Sequence, residues 1–145
     1  MTGRRVLPLV DRDSGPYWEW LARGELRVQR CPQCGAIRWP ARAFCNRCRT
    51  EGGDWEALSG RGRVVSWTVV EHATVGWYRD HAPYVVLTVA LEEQEDCVVP
   101  GNLSSGVPGD LYQGMPVEAV FEPVSQDPPV TLLQWQPAGQ RQEQE

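Results

Sequence analysis

The chain has 145 residues, 41% of them hydrophobic, and a formal net charge of −5. That leaves room for one ordinary domain, or a small module beside a modest one, and excludes a disordered chain. No stretch approaches the roughly 20 apolar residues of a membrane helix. The N-terminus, Met1-Thr-Gly-Arg-Arg-Val-Leu-Pro8, has a basic pair but lacks the apolar region of a secretory signal. Cytoplasmic residence is therefore expected, where thiols stay reduced and paired cysteines point to metal before disulfide.

Charge is unevenly divided. Residues 1–63 hold 12 Arg against 7 acids, a balance of +5, and residues 64–145 hold 2 Arg against 12 acids, a balance of −10. All 14 basic residues are Arg, which reads as codon bias rather than function. Seven Trp in so short a chain supply core and, where they face outward, rigid anchors for a partner.

In chain order, residues 1–28 form an N-terminal helical segment. Asp13-Ser14-Gly15-Pro16 reads as a helix start, and Tyr17, Trp20 and Leu21 make an apolar stripe that ends at Gly24. A helix this short needs something to pack on. Residues 29–56, rich in Arg, Gly and Pro and poor in aliphatics, cannot fold on a hydrophobic core and need a staple.

That staple is legible. Cys31-Pro-Gln-Cys34-Gly35 and Cys45-Asn-Arg-Cys48 are two C-x-x-C pairs ten residues apart. Each pair aims two thiolates at one ion, with Gly35 free to take a positive φ, and together they complete a tetrahedron of sulfurs. One structural Zn²⁺ is the expected occupant, and iron in a rubredoxin-like site uses the same ligands. With four protein ligands no position stays open for substrate. Arg30, Arg38, Arg42, Arg47 and Arg49 are placed to offset the −2 charge of four thiolates on Zn²⁺.

Residues 57–138 read as all-β. Val64–Val70 has Val65, Trp67 and Val69 at alternate positions, and Pro83-Tyr84 opens a run with Val85, Leu87, Val89 and Leu91 on one side. Cys97–Val99, Val117–Phe121 and Val130–Trp135 follow, with a helical turn expected at Pro108–Tyr112. Five strands with one helical insertion suit a five-stranded OB-fold barrel, and the same strands would also suit an open sheet. The acidic run Glu92-Glu93-Gln94-Glu95-Asp96 reads as a solvated hairpin end, and Cys97 as a buried small hydrophobe. Residues 139–145 are a polar tail. No catalytic set is recognisable: His72 and His81 lie in no Ser/His/Asp or Cys/His arrangement, and there is no phosphate loop.

An aromatic helix, a four-cysteine ribbon and a five-strand barrel in this order resemble the bacterial and archaeal zinc-ribbon OB-fold proteins associated with acyl-CoA metabolism. The resemblance rests on Tyr17-Trp18-Glu19-Trp20-Leu21, Gly24-Glu25-Leu26, Arg30-Cys31-Pro-Gln-Cys34-Gly35, Trp39-Pro40 and Phe44-Cys45-Asn-Arg-Cys48. It continues through Gly60-Arg-Gly62, Pro83-Tyr84-Val85-Val86, Gly114-Met115-Pro116-Val117 and Phe121-Glu122. The turn Glu92–Glu95 and the end Gln134-Trp135-Gln136-Pro137 depart from the family's usual acid-Gly and Phe-basic-Pro.

The resemblance implies a non-catalytic accessory subunit of a thiolase-superfamily enzyme, a thiolase or a lipid-transfer-type retro-aldolase. Such a complex acts on coenzyme A thioesters, in steroid side-chain or fatty-acyl catabolism, sometimes with a hydratase. Candidate contacts to acyl-CoA or partner are Trp18, Trp20, Arg63, Trp67, Trp77, Tyr78 and Tyr84. The alternative, a single-stranded nucleic-acid binder, is opposed by the −10 charge over residues 64–145, which repels phosphate.

Overall fold

The computed structural model describes residues 4–139. Helix α1 (Gly15–Ala22) starts beside Pro16 and ends at Gly24, whose φ of 76° lets its amide and that of Glu25 reach back to Leu21 and Trp20 carbonyls. Tyr17 and Leu21 are buried against the barrel, chiefly on its last strand, and Trp18 packs on the same core. Trp20, expected on the apolar stripe, lies half-buried on its flank, with the Arg27 guanidinium 3.7 Å over its ring and that of Arg23 at 5.1 Å.

The ribbon is a small antiparallel sheet in the order β2 (Ile37–Arg38), β1 (Arg27–Arg30), β3 (Asp54–Ala57). Leu26, Val28 and Ile37 turn its inner side toward the common core, so the module gains a little apolar burial besides its cysteines.

Five strands follow: β4 (Arg61–Val70), β5 (Tyr84–Leu91), β6 (Gln94–Asn102), β7 (Pro116–Gln126) and β8 (Pro129–Pro137). They pair antiparallel in the order β6-β5-β4-β7-β8. A parallel bridge of Leu103 to Trp135, with the Ser104 amide donating to the Trp135 carbonyl, draws the two edges together and nearly closes the barrel. The open-sheet alternative is thereby set aside. The expected helical turn is a single 3₁₀ turn at Pro108–Asp110. Helix α2 (Gly76–His81) sits between β4 and β5.

Val85, Leu87, Val89 and Leu91 all point inward, as their alternation requires, and meet Val64, Val99, Val117 and the fully buried Trp135. On β4 the pattern misleads. A bulge between Val64 and Ser66 sets Val64 opposite Val89, and Trp67 and Val69 opposite Leu87 and Val85. Val64 is buried, while Trp67 and Val69, on the same face but beyond the part of β4 that β7 covers, stay 37% and 36% exposed, and Val65, the bulge residue, 40%. No helix among the described residues is long and apolar enough to cross a membrane.

The acidic run is a joint between ribbon and barrel as well as a hairpin end. Gln94 binds Ile37, Asp96 pairs with Arg47, and Glu92 meets Arg61 and the Ser59 hydroxyl. Of these contacts, Gln94–Ile37 and Asp96–Arg47 cross between the modules, and Glu92–Arg61 lies within the barrel.

Candidate functional site

Two knuckles of one design carry the cysteines. The Gln33 amide lies 3.4 Å from Cys31 Sγ, and the Arg47 amide lies 3.4 Å from Cys45 Sγ. The Gly35 amide donates to the Cys31 carbonyl, as that of Arg49 does to Cys45. Both turns end in a left-handed residue, Gly35 with φ 76° and Arg49 with φ 63°. Spacing and glycine made the first foreseeable. The second hides behind an arginine, which gives no sequence signal.

The four sulfurs lie within 4.8 Å of one another, Cys31 to Cys48 at 3.5 Å and Cys34 to Cys45 at 3.6 Å. A tetrahedron with metal–sulfur bonds of about 2.3 Å has edges of about 3.8 Å, so this donor set fits one metal ion. Cys31 and Cys45 are buried and Cys34 and Cys48 exposed, which puts the ion at the surface of the ribbon with its coordination filled by protein. The Thr50 hydroxyl and amide hold the Cys48 thiol down to about 6, and the amides of Cys48 and Arg47 hold that of Cys45 below its usual value. Both shifts favour the thiolate a metal needs, whereas the Cys34 thiol, despite the Ala36 amide, is pushed up to about 11 by burial and the neighbouring cysteines.

Three of the arginines around the ribbon have partners of their own. Arg30 pairs with Glu56, and Arg47 with Asp96. Arg38, 5% exposed, donates from Nη2 to the carbonyls of Arg42 and Gly52 at 2.9 Å, tying the second knuckle to the sheet. Its bulk explains Gly53, where a Cβ would stand 2.9 Å from Arg38 Nη2.

Of the other candidate residues, the structure gathers three. Trp77 meets Tyr78 edge-on at 5.0 Å, and Tyr78 lies 5.6 Å from Tyr84. His81 stacks on Trp77 at 3.7 Å, and Arg5 covers the ring from 4.2 Å while pairing with Glu122. Arg5 and His81 are members that sequence reasoning missed, because nothing local announces a contact from residue 5 to residues 77 and 122. Arg4, Leu7, Pro123 and Asp127 extend this cluster into an open cleft of about 930 Å³.

Arg63 lies elsewhere. It donates to the Gly114 carbonyl at 3.1 Å and lines a groove of about 810 Å³ with Val65, Ala90, Val98 and Pro116. Trp67 belongs to neither group. Trp18 and Trp20 sit on α1 and line neither the groove nor the cleft.

Family descriptions match in the same order as the structural parts. Residues 18–53 match the ChsH2 rubredoxin-like zinc ribbon domain, and residues 55–122 the ChsH2 C-terminal OB-fold domain. A DUF35 domain-containing scaffold protein of Methanocaldococcus jannaschii is 37% identical over 99 residues, 68% of each chain. The chain belongs to the DUF35 family of zinc-ribbon OB-fold proteins.

Segments similar to this chain also form part of longer proteins. A probable enoyl-CoA hydratase alpha subunit of Thermomonospora curvata is 32% identical over 139 residues, which are 96% of this chain and 42% of that one. The 3-oxo-4,17-pregnadiene-20-carboxyl-CoA hydratase alpha subunit of Mycobacterium tuberculosis is 32% identical over 130 residues, 90% of this chain and 39% of that protein. Among solved structures, a chain of the Ltp2-ChsH2(DUF35) aldolase aligns with a TM-score of 0.80 and 29% identity, covering 91% of this chain and 99% of its own.

Proposed function

We propose that this DUF35 chain is a non-catalytic accessory subunit that holds an acyl-CoA-processing enzyme of the thiolase superfamily in its active assembly. The observation that carries the reading is the likeness, over 91% of the chain, to a component of an aldolase complex. The scaffold description of the archaeal relative agrees with it. The hydratase alpha subunits that contain a similar segment favour thioesters of coenzyme A, and one of them favours steroid side chains, with a hydratase as a further companion.

The chain's own chemistry supports a supporting role. Four thiols fill one metal's coordination, so the ion would be structural. Cys97 is buried and its thiol pushed up to about 11 by burial and then by the Asp96 charge, which suppresses nucleophilicity. His81 is held by the Trp77 carbonyl at 2.7 Å and by its stack on the ring.

The Trp77–Tyr78–Tyr84 cluster is the surface we assign to thioester or enzyme contact, since it combines aromatic area with Arg5 and His81 nearby. The test is to express the host's thiolase-superfamily enzyme with and without this chain and assay carbon–carbon bond cleavage of acyl-CoA thioesters. Activity or solubility that depends on co-expression supports the role. Equal activity without the chain refutes it.

A further inference from the structure

Helix α2 carries Trp77 and Tyr78, yet it buries no residue and contributes none to the core. A helix of six residues does not hold itself together in water, so something outside it must fix its place. Among the described residues, its hydrogen bonds and ring contacts run to residues 74–84, within the helix or on its own flanks, with one exception, Arg5.

The Arg5 guanidinium lies 4.2 Å from the centre of the Trp77 ring, and the His81 imidazole lies 3.7 Å from it and within 11° of parallel. Two flat groups that near one ring centre cannot share a face, because their own atoms would overlap. They therefore sandwich the indole. His81 belongs to the same helix and moves with it, so Arg5 is the side that ties the ring to the body of the protein. Arg5 also donates to Glu122 Oε1 at 2.5 Å. Glu122 is itself held: its other oxygen accepts from Gln134 Nε2 at 3.1 Å, and Gln134, 3% exposed, accepts from the Asn102 amide at 2.6 Å. β7, β8 and β6 thus pin the carboxylate beside the seam where the barrel closes.

We propose that Arg5 is a positioning residue: clamped between Glu122 and Trp77, it holds α2, and with it the aromatic surface, against the barrel. An ion pair and a cation over an indole are each modest, but here both act through one guanidinium. The Arg5 side chain is only 14% exposed, which partly shields the two contacts from water and salt. With both faces of Trp77 covered, the ring offers a partner its edge, set beside Tyr78 and Tyr84. The use of this arrangement rests on the contact surface proposed above, while the clamp itself needs only this chain.

The test is nitrogen-15 relaxation on the purified zinc-loaded full chain, with circular dichroism and zinc content as folding controls. Order parameters of the α2 amides and the Trp77 indole are expected at about 0.85 in the parent and below about 0.6 in Arg5→Ala, with the β5 amides unchanged. Arg5→Gln, which lacks the charge, should loosen α2 as much, and Arg5→Lys should recover part of the order. Glu122→Gln should loosen it too, and the Arg5→Ala/Glu122→Gln double variant no further than Arg5→Ala alone. An α2 already mobile in the parent, or equally ordered in Arg5→Ala or Arg5→Gln, overturns the proposal. Affinity for the host's thiolase-superfamily enzyme, measured on the same variants, is read separately. Where α2 has loosened, affinity weaker by about threefold or more supports the contact surface, and unchanged affinity removes that surface and leaves the role of Arg5 standing.

Discussion

The side-chain amide of Gln94 closes on the backbone of Ile37 with two bonds, Nε2 donating to the carbonyl and Oε1 accepting from the amide, each at 2.9 Å. The contact mimics one rung of a sheet and joins ribbon to barrel across 57 residues of sequence. Ile37 is 3% exposed, so water cannot easily replace either bond. Gln94→Leu should cost about 2 kcal/mol in urea unfolding, because two buried backbone groups lose their partners. It should also separate ribbon from barrel unfolding into distinct transitions.

One structural metal ion is expected per chain by elemental analysis, and zinc is the ion the donor set favours. Cys31→Ser or Cys45→Ser should abolish binding and leave the ribbon unfolded, while the barrel keeps its far-ultraviolet signal. A strong chelator should give the same result on the parent protein, because metal binding supplies the module's folding free energy.

Gly62 lies under β5, where a Cβ would meet Val89 Cγ1 at 2.5 Å and the Ala90 carbonyl oxygen at 2.6 Å. Neither atom is the end of a flexible side chain. Gly62→Ala should therefore cost about 3 kcal/mol, by prising β4 from β5. Gly35→Ala meets nothing within 4 Å and should cost only about 1 kcal/mol, through its positive φ.

Cys97 supplies a pH dependence. Burial raises its thiol from the ordinary 9.0 to about 11, so the folded state holds the proton more tightly than the unfolded one. Its contribution is complete below about pH 9 and is lost as pH rises toward 11, worth up to about 2 kcal/mol. Cys97→Val should flatten the decline in stability between those values, measured by chemical denaturation of the zinc-loaded protein.

If the aromatic cluster contacts the partner or its thioester, Trp77→Ala should weaken the assembled complex by about tenfold or more and leave zinc content and far-ultraviolet signal unchanged. Binding by calorimetry and turnover by the complex are the measurements. No change in either removes Trp77 from the contact surface.

Much of this was legible in the sequence where one residue type has one physical use. The C-x-x-C pairs, Gly24 and the alternation from Val85 to Leu91 each dictated a local geometry that the structure contains. What escaped depends on contacts between distant segments. The bulge at Val65 arises from pairing with β5, and alternation alone cannot place it. The Gln94 joint looked like part of a charged turn because its partner lies in another module. Arg49 adopts a left-handed conformation because the knuckle around Cys45 closes on itself. Arg5 reaches Trp77 and Glu122 only because the fold brings the N-terminal segment to α2 and β7.

The most direct test of the central claim is affinity purification of the tagged chain from its own host, with mass spectrometry of what accompanies it. The account predicts a thiolase-superfamily enzyme in near-stoichiometric amount, retained through moderate salt. Recovery of the chain without any such enzyme, or with nucleic acid in its place, would contradict the accessory-subunit role and leave the metal centre and fold intact.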